Sequence, residues 1–243
     1  MQLKNFIHVR SRGFVFGYVP KVACTNWKSV FRQLEGQPDP LNPRLAHDRQ
    51  AGGLTYLDTL DPAAAQALLD DPSVPKYTFV RNPYSRALSA YLNKVERFNH
   101  PEGQPGEAHF RQVHAGIRQW HARRGRSLDS VAFDDFLAFV EGAKQHPWAK
   151  DEHWLPQHLL VAPDRVRYDF IGRFENLQAD AAELLRRMAC DAPFPSREAI
   201  RFPGSGTEHK VAQHYTPEAA AAVRRIYAHD FELLGYDPAD APA

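Results

Sequence analysis

Apolar residues along this chain fall into two patterns, short continuous runs and stretches with helical spacing. The runs within 14–19, 77–80 and 167–174 are rich in aromatic and β-branched residues, which predicts three strands. A turn follows each run, and beyond it apolar positions recur as in an amphipathic helix. Strand and helix in repeated succession predict an α/β fold with three layers, in which a mainly parallel sheet carries helices on both faces.

Capping residues and periodicity together predict where the helices lie. The expected helices run from Thr25 or Asn26 to Gly36, from Asp61 to about Leu69, from Asn82 to about Val95, from near Phe110 to Arg123, from Phe133 to Val140, from about Leu177 to Met188, and onward from Thr216. The polar stretches 36–53 and 203–213 are expected to be loops. We expect residues 1–243 to form a single domain.

The stretch from Phe14 to Lys28 joins a buried strand, a turn and the start of a helix. The first N–H groups of a helix have no partner within it, and the helix dipole adds partial positive charge, so this end stabilises an anion. Lys21 adds a full charge, and Thr25 and Asn26 add side-chain donors. Cys24, with no histidine near it in sequence, is expected to pack rather than react. The stretch alone is compatible with a phosphate-sized ligand and with an ordinary capped helix.

A second stretch, residues 76–98, repeats this arrangement. Arg81 stands where its strand ends, and Ser85 and Ser89 lie four positions apart on one side of the next helix. Arginine and a serine hydroxyl together can grip a phosphate. Alternatively, Arg81 pairs with a carboxylate and the serines face solvent. Because α/β sheets bind ligands at the carboxyl ends of their parallel strands, we expect Lys21 and Arg81 at the same edge.

Composition narrows the classes of function. Hydrophobic residues make up 43% of the 243 residues, enough for a domain with a sizeable core. Lys and Arg number 30 against 29 Asp and Glu, and this near-neutral balance does not indicate general binding to nucleic acid or to a membrane surface. No segment of the sequence is apolar over the roughly 18 residues of a membrane span. Cys24 and Cys190 are too few for a disulfide framework, which favours a reducing compartment.

The segment DEHWLPQH, residues 151–158, gathers two carboxylates and two histidines. Its spacing differs from the HExxH helix of zinc enzymes, Pro156 interrupts any helix, and no second group of ligands follows in sequence. We therefore expect no metal and interpret the segment as a polar active-site loop.

The run RQWHARRGR, from Arg118 to Arg126, is strongly basic. It is interpreted either as a docking patch for an anionic acceptor or as a solvated helix face, and its sequence leaves both open.

No GxxxxGK[ST] motif occurs, and the turn that contains Lys21 has no glycine-rich cradle, which disfavours an ATP-hydrolysing enzyme. The motifs PKVACTNWK, FVRNPYSRALSAY, DEHWLPQH and YDFIGRFENL occur in this order. Together they resemble the carbohydrate sulfotransferases that make chondroitin 4-sulfate, dermatan sulfate and the HNK-1 epitope. The resemblance extends from about Tyr18 to about Tyr236.

This resemblance implies a P-loop NTPase-like sulfotransferase fold. It also implies transfer of a sulfuryl group from 3′-phosphoadenosine 5′-phosphosulfate (PAPS) to a hydroxyl of a carbohydrate or another hydroxylated acceptor. The residues that it assigns to the 5′-phosphosulfate are Lys21, Ala23, Cys24, Thr25, Asn26, Trp27 and Lys28. Arg81 and Ser89 are assigned to the 3′-phosphate. Phe174 and Glu175 are expected near the adenine, and the loop from Thr207 to Lys210 is expected to close over the nucleotide.

The expected reaction is an in-line displacement at sulfur that needs no metal. Lys21 and the helix N–H groups would stabilise charge on the leaving phosphate, and a histidine suits the role of general base because its pKa lies near working pH. The first candidate is His47, since family members carry a histidine between the two phosphate motifs. His153 is the second candidate.

Two departures from the vertebrate members shape the remaining expectations. Residues 160–164 read LVAPD where those members place cysteines, and the chain lacks their membrane anchor and stem. Both differences predict a cytoplasmic, bacterial enzyme whose partners are PAPS, its bisphosphate product (PAP) and a glycan or small-molecule acceptor. Two other functions stay open at this point: a kinase-like phosphotransferase that uses ATP, and a non-catalytic nucleotide-binding or glycan-binding module.

Overall fold

The computed structural model describes residues 2–99, 108–196, 198–200 and 211–241. Its described residues group into two compact units, the first from 1–81 and 157–204 and the second from 82–156 and 205–243. Each unit is described by itself below, and the expectation of a single domain stays a prediction.

Strands lie only in the first unit, among the described residues, and helices lie in both. The strands are β1 (Phe6–Val9), β2 (Phe14–Gly17), β3 (Thr55–Tyr56), β4 (Lys76–Val80) and β5 (Phe170–Arg173). The helices of the first unit are α1 (Cys24–Leu34), α2 (Pro43–His47), α3 (Pro62–Asp70), α7 (Gln157–Val161) and α8 (Leu177–Arg187). Those of the second are α4 (Pro83–Lys94), α5 (Ala108–Ala122), α6 (Phe133–Gly142), α9 (Val211–His214), α10 (Pro217–Ile226) and α11 (Ala228–Leu234).

The five strands form one mixed sheet in the order β3-β1-β2-β4-β5. β2 is parallel to β4, with Gly17 opposite Thr78, and β4 is parallel to β5, with Val80 opposite Arg173. β1 is antiparallel to both of its neighbours. The α/β class is confirmed, and the strands predicted from the apolar runs are those of the parallel half of the sheet.

Helices pack on both faces of this sheet, because side chains along a strand point alternately to opposite sides. On one face Phe16 of β2 packs against Phe31 of α1, with ring centroids 4.8 Å apart. On the other face Val15 belongs to a buried cluster with Ala65 and Leu69 of α3. The predicted layering of helix, sheet and helix is therefore present in the first unit.

The antiparallel half of the sheet was not predicted from the sequence. β1 is only four residues long and β3 only two, so neither shows a periodic pattern over a useful length. Gly13, with a φ of +64°, lies in the turn that joins β1 to β2. The sheet is accordingly mixed, with parallel pairing on one side of β2 and antiparallel pairing on the other.

The second unit is a helical assembly around an apolar core. Its centre is aromatic: Tyr91 of α4 packs against Phe133 of α6 at 5.2 Å between ring centroids, and Phe136 packs against Trp154 at 5.4 Å. The predicted caps form here, because the side chain of Asn82 accepts a hydrogen bond from Tyr84 N at the start of α4. Within the described part of the chain, every helix is too short or too polar to cross a bilayer.

Candidate active site

The turn after β2 has an unusual backbone. Lys21 has a φ of +72° and Ala23 a φ of +49°, the left-handed region that side chains other than glycine seldom occupy. Ala23 is the N-cap of α1, and no side chain, among the described residues, caps that helix. The expectation that Thr25 or Asn26 is the cap is therefore wrong, because α1 begins earlier, at Cys24. A helix start without a side-chain cap, next to a twisted turn, suits an anion.

Arg81 lies at the end of β4 and is only 4% exposed. Its Nη1 donates a hydrogen bond to the backbone carbonyl oxygen of Lys21 over 3.1 Å. The two turns predicted to bind phosphate therefore lie side by side, as expected for the carboxyl ends of adjacent parallel strands.

Gln157, the first residue of α7, holds the backbone of Arg81 in place. Arg81 N donates to Gln157 Oε1 over 2.9 Å, and Gln157 Nε2 donates to Arg81 O over 2.7 Å. Gln157 is fully buried. Sequence reasoning missed this role, although the residue stands in the quoted motif DEHWLPQH. The motif itself was the available signal.

The ring of Phe174 lies beside the side chain of Arg81. The Arg81 guanidinium carbon is 4.1 Å from the centroid of the Phe174 ring, a cation–π contact. Phe174 is half-buried and Glu175 is exposed. The ring therefore orients the guanidinium, and its predicted position near the adenine stays a prediction.

His47 is the last residue of α2, a short helix inside the segment predicted to be a loop. Its Nε2 lies 2.8 Å from Thr25 Oγ1, within hydrogen-bond distance. Thr25 is buried in the first turn of α1, whereas His47 is exposed. The structure thus brings the first candidate base to the start of α1, and its role as base stays a prediction.

Other residues assigned to the 5′-phosphosulfate have contacts of their own. Trp27 is fully buried and packs against Phe79 at 4.8 Å between ring centroids. Lys28 is buried, with Nζ 3.9 Å from the centroid of the Tyr18 ring. Asn26 donates from Nδ2 to the carbonyl oxygen of Pro195 over 2.8 Å, and Cys24 is a half-exposed free thiol. Packing is therefore the visible role of Trp27, and ligand contacts by these residues stay predictions.

Ser89 and His153 belong to the second unit. Ser89 is buried on α4, at 1% exposure. Arg86, one turn earlier, is also buried and donates to the carbonyl oxygens of Glu152 and Leu155 over 3.0 and 2.9 Å. These bonds hold the predicted polar loop against α4. The role of Arg86 was not predicted from the sequence.

The Asp151 carboxylate lies between two histidines. His153 Nδ1 is 2.7 Å from Asp151 Oδ1, and His109 Nε2 is 2.9 Å from Asp151 Oδ2. Burial would raise the pKa of Asp151, but hydrogen bonds from His153 and His109 outweigh it and hold the pKa well below 3.8. Burial lowers the pKa of His153 below 6.5 although Asp151 opposes the shift. A hydrogen bond from Nδ1–H to Asp151 leaves Nε2 of His153 as the basic atom.

Two further expectations concern metal and the nucleotide lid. No group of three or more His, Cys, Asp or Glu side chains in the described ranges is placed to hold a metal ion. Lys210, and with it the predicted loop from Thr207 to Lys210, lies outside the described residues.

A sequence model of the sulfotransferase family matches residues 4–237. This chain belongs to the sulfotransferase family. The turn before α1, the buried Arg81 and the neighbouring Phe174 ring fit a donor with two phosphate groups, which the family implies to be PAPS.

Several animal proteins are similar to this family member. Human carbohydrate sulfotransferase 14 is 34% identical over 228 residues, which is 92% of this chain and 57% of that protein. Rat carbohydrate sulfotransferase 11 is 27% identical over 240 residues, covering 96% and 67%. Human carbohydrate sulfotransferase 10 is 28% identical over 268 residues, covering 98% and 72%. The chain spans less than two thirds of the first of these relatives. No solved structure matches it.

These relatives contradict the expectation of a cytoplasmic, bacterial protein. They are animal carbohydrate sulfotransferases, which are Golgi-type enzymes. The expectation is therefore wrong. Its premises were the low cysteine count, the sequence LVAPD at residues 160–164 where the vertebrate members place cysteines, and the missing apolar segment. These describe disulfides and spans within these residues and identify neither a compartment nor an organism.

Proposed function

We propose that this protein transfers a sulfuryl group from PAPS to a hydroxyl of a carbohydrate. One observation carries the proposal: in a member of the sulfotransferase family, the buried Arg81 guanidinium is hydrogen-bonded to the Lys21 carbonyl, beside the start of α1. A positive side chain and helix N–H groups at one edge of a sheet suit a nucleotide that carries phosphates at both ends.

Bound PAPS supplies the sulfuryl group on a phosphate leaving group. The N–H groups of the first turn of α1 and the Lys21 ammonium hold its 5′ end, together with Ala23 and the side chains of Thr25 and Asn26. Cys24, Trp27 and Lys28 are the remaining residues assigned to the 5′-phosphosulfate. Arg81 holds the 3′-phosphate. The assignments of Ser89 and Lys210 to the nucleotide rest on the family resemblance and stay predictions. Fixed donors stabilise charge on the leaving oxygen because they need no rearrangement during the reaction.

His47 is the proposed general base. Its imidazole takes the proton of the acceptor hydroxyl, and the contact of Nε2 with Thr25 Oγ1 at 2.8 Å supports this role because it holds the ring beside the start of α1. His153 is the second candidate, supported by the Asp151 carboxylate on its Nδ1, which leaves Nε2 free of its proton. The printed names of the relatives favour a carbohydrate as acceptor.

The test is titration calorimetry with PAP, in parallel with ATP and magnesium. We expect the wild type to bind PAP without metal. Arg81→Ala should bind PAP about 10- to 100-fold more weakly, since a hydrogen bond to a charged group contributes roughly 1.5–3 kcal/mol.

Arg165→Ala is the matched control for this titration. It removes the same charge from a side chain of the first unit that is 71% exposed, so PAP affinity should be unchanged. Preference of the wild type for magnesium-ATP, or equal PAP affinity in Arg81→Ala, would contradict the proposed function.

A further inference from the structure

A cavity of about 510 Å³ opens in the second unit, between the end of α5 and the segment that follows α6. Three of its lining side chains are positively charged and exposed, Arg123, Arg124 and Lys144. Among the described residues, none that lines it carries a carboxylate side chain. The volume lies within the range of small-ligand sites, about 300–1,000 Å³. The cavity therefore suits an anionic ligand.

Trp120 provides an aromatic surface in this cavity. The Arg124 guanidinium carbon lies 3.9 Å from the centroid of the indole, which keeps the cation beside the ring. Gly142, at the end of α6, makes room for the ring, because a Cβ there would be 2.8 Å from Cζ2 of Trp120. His146 accepts a hydrogen bond from Trp148 N at its Nδ1, so Nε2–H is a donor.

The arginines of the basic run from Arg118 to Arg126 have different surroundings in the structure. Arg118 donates from Nε to the carbonyl oxygen of Leu128 over 2.8 Å, and Arg126 pairs with Asp135 at 2.7 Å. Arg123 and Arg124 line the cavity, and Nη1 of Arg124 also donates a hydrogen bond to the carbonyl oxygen of Trp120 over 3.2 Å. The docking patch and the solvated face were competing interpretations of this run, and the geometry favours docking for its middle arginines.

The carboxylate of Glu141, which is close to the cavity in sequence, is paired with another residue. Glu141 precedes Gly142, and both of its carboxylate oxygens accept hydrogen bonds from Arg225, over 2.6 and 2.9 Å. This pair lowers the pKa of Glu141, so the carboxylate stays ionised and paired. The positive side chains of the cavity therefore face little competition from it.

We propose that this cavity binds an acidic saccharide chain, at a site made of residues other than those assigned to the donor. Arginine forks match the geometry of carboxylate and sulfate groups, while an indole ring packs against the apolar face of a sugar. The choice of a saccharide over another polyanion rests on the proposed function. The site would hold an acceptor or product chain by its acidic groups, independently of the nucleotide.

The test measures binding of a size-defined chondroitin oligosaccharide, without nucleotide, by surface plasmon resonance. Arg123→Ala with Arg124→Ala should weaken binding at least about tenfold, since charge-assisted hydrogen bonds are lost. Gly142→Ala should also weaken binding, with no change in charge, because its Cβ displaces the Trp120 ring. A neutral oligosaccharide of equal length should not bind.

The matched control is Arg111→Ala with Arg165→Ala, which removes two positive charges from exposed arginines outside the cavity. Its affinity for the oligosaccharide should stay within about twofold of wild type. If both double variants lost the same affinity for the oligosaccharide, net charge alone would explain the effect and the proposal would be overturned. Undiminished binding in Arg123→Ala with Arg124→Ala would also overturn it. Single-stranded DNA that binds equally well at the same arginines would overturn the saccharide class.

A separate titration with PAP distinguishes this proposal from the proposed function. PAP affinity should be unchanged in the double variant, since neither arginine belongs to the donor site. If wild type fails to bind PAP, the proposed function fails, and the saccharide measurement still decides on the cavity.

Discussion

The guanidinium of Arg81 donates from Nη1 to the backbone carbonyl oxygen of Lys21, two residues 60 positions apart in sequence. This bond joins the end of β4 to the turn that precedes α1. A charged side chain thereby stabilises a turn whose backbone has positive φ at Lys21 and Ala23. The same guanidinium is expected to bind the donor, so its shape and its charge should both matter.

Arg81→Lys tests the shape of this group. Lysine keeps the charge but lacks the planar fork that can bond to Lys21 O and stack on Phe174. PAP affinity is expected to fall about tenfold, between wild type and Arg81→Ala, as measured by calorimetry. Equal affinity of Arg81→Lys and wild type would show that charge alone suffices.

His47→Ala tests the general base. Turnover should fall by about 100- to 10,000-fold, the range for general base catalysis, while PAP affinity stays unchanged. His229→Ala is the matched control, because that histidine is 71% exposed and belongs to the second unit. Near-normal turnover in His47→Ala would contradict the assignment, and the same measurement on His153→Ala would then test the second candidate.

Asp151→Asn tests the electrostatics of the loop in the second unit. The folded pKa of Asp151 lies below 3.8, so its contribution to stability is present above that pH and is lost as the pH falls through the folded pKa. Urea unfolding between about pH 5 and about pH 2.5 should show a steeper loss of stability in wild type than in Asp151→Asn. Parallel slopes would mean that the hydrogen bonds from His153 and His109 do not stabilise the carboxylate.

Ala189→Gly tests backbone strain after α8. Ala189 has a φ of +49° and is exposed, and Cys190 N bonds to Leu185 O as in a glycine-ended helix. Glycine should raise the free energy of unfolding by about 0.5–1 kcal/mol, because left-handed backbone strains alanine. Ala182→Gly, at an exposed position inside α8, should lower it by about the same amount. Urea titration distinguishes the two, and a loss of stability in both variants would contradict the argument.

Much of the candidate site could be predicted because its signals are local. Strand residues with β-propensity, followed by a turn and a periodic helix, marked the stretches that contain Lys21 and Arg81. Side-chain caps were visible as well, since the side chain of Asp61 accepts from Ala63 N and that of Thr216 from Ala219 N, as expected. The cap of α1 was predicted wrongly because the helix starts on a strained residue, Ala23, which no propensity indicates.

Other parts of the site depend on contacts between distant residues. Gln157 bonds to the backbone of Arg81 across 76 positions, and His47 reaches Thr25 across 22. The order of the strands also brings β1 between β3 and β2, although β1 and β3 are too short to show a pattern. None of these contacts follows from the residues adjacent in sequence.

The sequence by itself determined the α/β class and membership of the family, because hydrophobic periodicity and motif order depend on residues close along the chain. It also predicted two turns suited to anions, and anion binding there stays a prediction. Only the tertiary structure decided that Arg81 lies against the Lys21 turn, held by Gln157 and oriented by Phe174. It also decided that Arg123 and Arg124 of the basic run line a cavity, whereas Arg118 bonds to Leu128 and Arg126 pairs with Asp135. The physical reason is that a side chain's partner is set by the packing of whole elements, and that packing brings together residues with no local signal for each other.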